Sequence, residues 1–254
     1  MAKEILIPNP AVHIDLAYQA AARIKHDVIE NNIGYYLLGA TSPDIRVIKK
    51  VDRSIFHFAP LDFKEIGTGI KGLFNAHPTL QNASDQNPET QAFLAGYLTH
   101  LLADETWIVT MFRPFFDNAL VFEDRTMGLI MDRAFQLEMD RRCWDDAEHV
   151  RTLINTPTDK VTVGFIDNGS LSNWIKWVNQ NLDRGFTWDR LNFMARRISR
   201  GDEDHPVFQM AEDFVADYEK GLRNMEEKIP VDSLDNYQTQ VIDSITTIVE
   251  EYLN

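Results

Sequence analysis

The sequence predicts an all-α fold, a multi-helix bundle, from three observations. Apolar residues recur at helical spacing in most segments of the 254-residue chain. Prolines and capping residues stand where several of these segments begin. Only residues 161–166 (VTVGFI) resemble a strand, and an isolated strand is marginally stable at best. Because 44% of the residues are hydrophobic and no linker-like tract interrupts them, we expect one mainly helical domain over residues 1–254.

The N-terminal part is predicted to open with helical segments followed by a long polar loop. Residues 10–30 carry apolar side chains on one face, which predicts an amphipathic helix. The apolar stretch YYLLGA follows and stops at Gly39, and TSPD then predicts a turn or a new helix with Pro43 in its first position. Residues 60–75 are weakly helical and interrupted by glycines, and residues 76–90 are typical of a loop.

A strongly apolar helix is predicted to begin at Pro88, with Asn87 as its cap. Another helix is predicted over residues 125–148, and a polar connector follows it. Additional helices are expected in the C-terminal part, at residues 170–182, 187–198, 206–228 and 233–252. The sequence assigns no role to residues 155–254.

The apolar helix that follows Asn87 carries two ionisable residues on the face that should be buried. Because residues i and i+4 project side by side, His100 and Asp104 share one stripe with Tyr97 and Trp107. Burying an unpaired carboxylate is costly, so Asp104 must have a partner. A divalent metal would satisfy both side chains at once.

Three other residues have suitable chemistry to join this pair. His13 lies at the edge of the apolar face of the first helix, Asp44 follows a proline in a turn, and His57 stands between two phenylalanines. Each histidine alone is more often a core residue that finds an ordinary hydrogen bond. Together with His100 and Asp104, however, they provide three imidazoles and two carboxylates, a set suited to zinc with room for two ions bridged by one carboxylate.

These five residues, here called the candidate ligands, occur in an order that resembles the zinc-dependent phospholipase C family, whose fold also serves fungal single-strand nucleases. The resemblance covers about residues 1–110, with GYLTHLLAD as its most specific part. It implies a helical bundle of the phospholipase C and nuclease type, to which residues 155–254 add further C-terminal helices. The candidate ligands are His13, Asp44, His57, His100 and Asp104.

The resemblance implies a role for each candidate ligand. Asp44, His57, His100 and Asp104 would hold one zinc. His13 would bind a neighbouring zinc, with Asp104 bridging the pair. Asp44 would also be the catalytic residue that orients or deprotonates the attacking water. Zinc is the expected cofactor, as one or two ions, and another divalent metal is an open alternative.

The implied function is metal-dependent hydrolysis of phosphoric esters by a phospholipase C-like phosphodiesterase. The substrate would be a phosphate-ester small molecule or a phospholipid head group. Two alternatives remain open: a catalytically weak or inactive metal-binding or structural protein of the same fold, and a His100–Asp104 pair that is merely hydrogen-bonded within a helical scaffold.

The chain departs from the family pattern in two places. Secreted members use an N-terminal Trp as a metal ligand, whereas this chain begins MAKE. The family's third zinc uses a histidine shortly after the HxxxD helix, but Thr110 stands there and residues 105–148 contain no histidine. We therefore expect at most two ions. Glu138 is a possible replacement ligand, although an ion pair with Arg142, four residues later, is the simpler interpretation.

Composition excludes several other classes of protein. The net charge of −14, without a cluster of Lys or Arg, disfavours binding of duplex nucleic acid. No apolar run approaches the roughly 20 residues that span a bilayer, and the N-terminus lacks the pattern of a secretory signal. The single cysteine, Cys143, excludes an intramolecular disulfide. We therefore expect a cytoplasmic protein.

Asp145 and His149, also four apart, lie at an acidic helix end, which favours a surface position.

Overall fold

The structure, a computed structural model, describes residues 10–254 and is predominantly helical, at 74%. Those residues contain no β-strand, so the prediction of an all-α, multi-helix fold is confirmed. The expectations that rested on MAKEILIPN fall on residues 1–9, outside the described part. The expectation of a single domain stays a prediction.

Thirteen α-helices lie within residues 10–254. Those of the N-terminal part are α1 (Pro10–Ile24), α2 (Asp27–Asn31), α3 (Ile33–Thr41), α4 (Arg46–Lys49), α5 (Ser54–His57), α6 (Thr68–Ala76) and α7 (Pro88–Trp107). Those that follow are α8 (Arg125–Val150), α9 (Asn168–Asp183), α10 (Arg190–Ser199), α11 (Val207–Ala216), α12 (Tyr218–Glu226) and α13 (Ser233–Leu253). Short 3₁₀ turns occupy Ser42–Ile45, Pro78–Leu80, Ala83–Asp85 and Arg151–Ile154, and a π-helix spans Ile108–Phe116.

Helix α7 lies at the centre of the bundle, in contact with α1, α3, α6 and α13. Its predicted start is confirmed, because the Thr90 amide donates to the Asn87 side chain at 2.7 Å and Pro88 occupies the first turn. Almost all of its residues are buried on every side, which explains why it is apolar all round. No helix of the described part is long and apolar enough to cross a membrane.

Two segments predicted as single helices are each divided. Residues 10–30 form α1 and α2, because Lys25 adopts a left-handed conformation (φ 49°) and His26 caps α2 by accepting from the Val28 amide at 3.2 Å. Residues 206–228 form α11 and α12, because Asp217 (φ −146°) leaves the helical region and caps α12 with its side chain. Apolar periodicity continues across both breaks, so it did not reveal them.

The strand-like segment at residues 161–166 does not form a strand. Residues 164–166 bend instead, and Val161 and Val163 are buried in the core. The polar backbone groups are satisfied instead by side chains at the start of α7: the Thr162 amide donates to Thr90 at 3.0 Å, and Asn87 donates to the carbonyl of Lys160 at 3.0 Å. The segment therefore seals the N-terminal end of α7.

Gly39 does not end a helix, as the sequence suggested, because α3 continues through it to Thr41. It lies instead where α3 crosses α7. A Cβ atom at Gly39 would come within 1.9 Å of the Phe93 carbonyl oxygen, and one at Gly96 would come within 1.8 Å of the Tyr36 carbonyl oxygen. The two glycines allow the backbones of α3 and α7 to touch.

Gly96→Ala is expected to destabilise the protein by about 1–3 kcal/mol or more, since the added methyl group forces the α3–α7 pair apart. The matched control is Gly169→Ala in α9, where the nearest atom to an added Cβ is the Asp167 side chain at 3.3 Å. The control should change the free energy of unfolding by less than about 1 kcal/mol. Urea denaturation measures both, and equal stabilities would contradict the close helix crossing.

Candidate metal centre

The structure brings all five candidate ligands together from four parts of the chain. His13 comes from α1, Asp44 from the 3₁₀ turn after α3, His57 from the end of α5, and His100 with Asp104 from α7. They form two overlapping groups: one contains His13, His100 and Asp104, and the other contains Asp44, His57 and His100. Within each group the possible ligand atoms lie within 4.8 Å of one another.

Asp104 is fully buried and lies against all three imidazoles. Its Oδ2 is 2.9 Å from Nε2 of His57 and 3.5 Å from Nε2 of His100, and its Oδ1 is 3.5 Å from Nε2 of His13. The rings of His13 and His100 stack with their centroids 3.8 Å apart. Asp44 is the most open member, with a side chain that is 17% exposed. The cluster is therefore closed around Asp104 and reaches solvent at Asp44.

The backbone fixes the orientation of the His100 ring. Nδ1 of His100 lies 2.8 Å from the carbonyl oxygen of Ala40. Because a carbonyl oxygen only accepts, Nδ1 must carry the proton, and in the neutral ring Nε2 then presents a lone pair to the cluster. Histidines that bind metals are typically held in this way by their second nitrogen. The α3–α7 crossing supplies this contact.

His57 lies between two hydrogen-bond acceptors. Its Nδ1 is 3.2 Å from the carbonyl oxygen of Arg53, and its Nε2 is 2.9 Å from Oδ2 of Asp104. A neutral imidazole has one N–H and satisfies only one of them. Burial, assisted by the charge of Arg53, lowers the pKa of His57 to about 3, so a second proton is not held near neutral pH. A cation at Nε2 would remove the conflict.

Two buried atoms of the cluster have no hydrogen-bond partner among the described residues. They are Nε2 of His13 and Oδ1 of Asp104. Leaving such a group unsatisfied costs about 1–3 kcal/mol, and more when it is charged. The two atoms face each other at 3.5 Å, a distance that a metal ion bound to both, or a proton held between them, would satisfy. The residues therefore fit a divalent metal.

The spacing of the ligand atoms also fits zinc. Two ligands of a tetrahedral zinc, each at about 2.0–2.1 Å from the ion, are roughly 3.3 Å apart. The Nε2 atoms of His57 and His100 are separated by 3.3 Å, and Nε2 of His100 is 3.5 Å from Oδ2 of Asp104. Lone pairs at these distances repel one another unless a proton or a metal ion lies between them.

The pKa shifts show how the metal-free cluster arranges its charges. Burial would raise the pKa of Asp104, but His100 and the other imidazoles hold it well below its usual range. Burial likewise lowers the pKa of His100, but the charge of Asp104 outweighs burial and the pKa is raised. Burial and the neighbouring His100 lower the pKa of His13. Asp104 thus favours a positive charge among the imidazoles, which a divalent metal would also supply.

Two arginines belong to the site and were missed by the sequence analysis. Arg53, which is 6% exposed, donates from Nη2 to Oδ2 of Asp104 at 2.9 Å. Nε of the buried Arg46 lies 3.5 Å from Oδ1 of Asp44. The one available signal was that Arg53 stands one helical turn before His57. Each carboxylate of the site therefore faces a guanidinium.

Glu105 holds a neighbouring segment against the site but is not one of the candidate ligands. Its two carboxylate oxygens accept from the backbone amides of Gly67 and Gly69, at 2.5 and 2.6 Å. A Cβ atom at Gly69 would lie 2.6 Å from the carbonyl oxygen of His57. Glu105 therefore holds the start of α6 tightly against the end of α5.

Aromatic residues form one side of the site. Tyr97 donates from its hydroxyl to the carbonyl of Phe56 at 2.5 Å. The rings of Tyr97 and Phe58 contact Phe165, with centroids 5.4 and 5.3 Å away. Trp107, which shares the helix stripe of His100 and Asp104, is directed elsewhere because its Nε1 donates to Asp132 at 2.9 Å. Phe165 also gives the C-terminal part of the chain a contact beside the site.

Glu138 has partners other than a metal. Its carboxylate accepts from Nε of Arg142 at 2.9 Å, as the ion-pair interpretation predicted, and also from Arg141 at 2.7 and 2.8 Å. Asp145 and His149 are both exposed, and Cys143 is buried.

The stability of the metal-free protein should fall as the pH decreases from 6.5 towards 3. In this window the unfolded chain binds a proton at His57 that the folded chain does not, since the folded pKa is lowered from 6.5 to about 3. His57→Asn should reduce the slope of unfolding free energy by about 1.4 kcal/mol per pH unit. Urea titrations between pH 6 and 5 measure the slope, and His149→Asn is the control. An unchanged slope in His57→Asn would show that His57 is not held neutral.

Comparison with curated proteins and with solved structures finds no match. Residues 12–107, however, match the family model of zinc dependent phospholipase C. The matched segment begins just before His13, ends with α7 and contains all five candidate ligands. Over this segment, the chain is similar to the zinc-dependent phospholipase C family.

Proposed function

We propose that the protein is a zinc-dependent hydrolase of phosphoric esters, a phospholipase C-like phosphodiesterase. One observation supports this most strongly: three imidazoles and two carboxylates converge in a buried cluster in which Nε2 of His13 and Oδ1 of Asp104 have no hydrogen-bond partner among the described residues. Such a set suits zinc, and another divalent metal is an open alternative. The match of residues 12–107 to the family model of zinc dependent phospholipase C agrees with this chemistry.

The proposed ligands are His13, Asp44, His57, His100 and Asp104. A bound zinc ion would supply an acidified water near neutral pH and polarise a phosphoryl oxygen. The protein's part is to hold the ligands in place before the metal arrives. The carbonyl oxygens of Ala40 and Arg53 orient two of the imidazoles, so little reorganisation accompanies binding.

Asp44 is the proposed proton acceptor. It is the candidate ligand most open to solvent, and the 3₁₀ turn that begins at Ser42 fixes its backbone. A water molecule that attacks phosphorus from this side would transfer its proton to the Asp44 carboxylate. Arg46, 3.5 Å away, orients the same carboxylate.

The proposed substrate is a phosphate-ester small molecule or a phospholipid head group. Arg46 and Arg53 provide local positive charge for an anionic group, although the chain as a whole carries −14. The overall negative charge disfavours duplex nucleic acid. A cytoplasmic location stays a prediction.

A second candidate function is a metal-binding protein with little catalysis. The observation that favours it is the burial of four candidate ligands, each at most 2% exposed, which leaves access only through Asp44. Structural zinc sites are closed, whereas catalytic sites keep a position for water or substrate. The two functions make different predictions for activity but the same prediction for zinc.

Binding of zinc should stabilise the folded protein. Removal of zinc with EDTA should lower the melting temperature, because an ion that binds only the native state stabilises it. His100→Ala should bind zinc at least about 100-fold more weakly and lose the EDTA effect. The matched control is His149→Ala, which changes an exposed histidine. The proposal is wrong if protein purified without chelators contains no stoichiometric metal.

Activity distinguishes the two candidate functions. Asp44→Asn, which preserves shape and removes the carboxylate charge, should lower kcat towards bis(p-nitrophenyl) phosphate or p-nitrophenyl phosphorylcholine by about 10²–10⁴-fold. Asp145→Asn, at an exposed position, should retain wild-type activity. If zinc-loaded wild type and Asp44→Asn have equal rates, the metal-binding function is the correct one for these substrates.

A further inference from the structure

We propose that Arg53 takes the place of a second metal ion, so that the centre is mononuclear. The inference rests on the proposed function, since it concerns the same cluster. It deepens that function by assigning the number of ions and by giving a residue outside the ligand set a defined role. The argument depends on how the ligand atoms are shared, on the position of the Arg53 guanidinium and on the charge of the buried site.

His100 limits the number of ions because both ligand groups contain it. Its Nδ1 is engaged with the carbonyl of Ala40, so only Nε2 is available, and a single nitrogen lone pair binds one ion. If an ion uses His100 with His13 and Asp104, then Asp44 and His57 remain. If it uses His100 with Asp44 and His57, then His13 and Asp104 remain. In either case a second ion has two protein ligands, fewer than the three of typical catalytic zinc sites.

A bridging carboxylate would be needed to supply the missing ligand. In Asp104 the Arg53 guanidinium competes with a second ion for one of the two oxygens, and its positive charge repels an ion bound there. A bridge uses one carboxylate oxygen for each ion. Nη2 of Arg53 already donates to Oδ2 of Asp104 at 2.9 Å, and a charge-assisted hydrogen bond in a buried site is strong. Only Oδ1 of Asp104 has no partner among the described residues.

The Arg53 guanidinium is committed to this carboxylate. Its side chain is 7% exposed, and its Nε and Nη1 atoms have no hydrogen-bond partner among the described residues. The positive charge of Arg53 is therefore balanced mainly by Asp104. An arginine is always protonated, so the charge persists at every physiological pH, as that of a metal would.

The charge of the cluster also favours one ion. Asp44 and Asp104 contribute two negative charges, and Arg46 and Arg53 contribute two positive charges. With the imidazoles neutral as ligands, one divalent ion leaves a positive excess that an anionic phosphate ester reduces. A second divalent ion would double that excess in a site where uncompensated charge is costly. Removing the Arg53 charge would free Oδ2 of Asp104 and reduce the excess by one.

The test is the number of metal ions per chain, measured in purified full-length protein loaded with zinc and passed over a desalting column. The variants are Arg53→Met, which removes the guanidinium, and Arg53→Lys, which retains a positive charge. The matched control is Arg113→Met, because Arg113 is a half-buried arginine that donates only to the carbonyls of Leu61 and Phe63 among the described residues. Elemental analysis gives the stoichiometry, and circular dichroism checks folding.

The expected result is one zinc per chain in wild type, Arg53→Lys and Arg113→Met, and two in Arg53→Met. Two ions in wild type, or one ion in folded Arg53→Met, would overturn the inference while leaving the proposed function intact. No bound ion in wild type would overturn both.

A cobalt titration of wild type keeps the test decisive if Arg53→Met does not fold. Cobalt(II) in a tetrahedral protein site absorbs in the visible range, and this absorption should reach its endpoint at one equivalent. An endpoint at two equivalents would contradict a mononuclear centre whatever the variants do.

Discussion

A carboxylate in the interior of a helical bundle is the constraint on which the site depends. Asp104 is fully buried, and a bare charge there would be too costly to keep. Three imidazoles and one guanidinium surround it, yet Oδ1 still lacks a partner among the described residues. A divalent cation bound to this oxygen would complete the site.

The packing of the bundle produces the orientation of the ligands. The contact between α3 and α7 at Gly39 and Gly96 places the carbonyl of Ala40 against His100. The carbonyl of Arg53, one turn before His57, orients the His57 ring in the same way. The glycines that allow the helices to approach therefore also fix the orientation of His100, and a change in helix spacing would alter the ligand geometry.

The sequence predicted the helical class and the cap of α7, because both depend on local spacing. The candidate ligands came from their chemistry and from the family resemblance; the structure brings all five together, and their binding of a metal stays a prediction. The sequence did not predict Arg53 as a site residue, since only the folded chain brings its guanidinium to Asp104. Gly39 was misinterpreted as a helix end because a glycine that allows helix contact looks the same in sequence. The apolar run at 161–166 resembled a strand because buried irregular segments share its composition.

Substitution of an arginine for a metal would make the chemistry of this centre differ from that of a clustered zinc site: one ion and a fixed guanidinium would share the stabilisation of a phosphoryl group. The central claim, that a cation lies among the imidazoles around Asp104, is tested most directly by anomalous diffraction at the zinc edge from crystals of zinc-loaded protein. The account predicts a single peak about 2.0–2.1 Å from Nε2 of His100. Absence of a peak, with Asp104 still closed against His57 and Arg53, would contradict it.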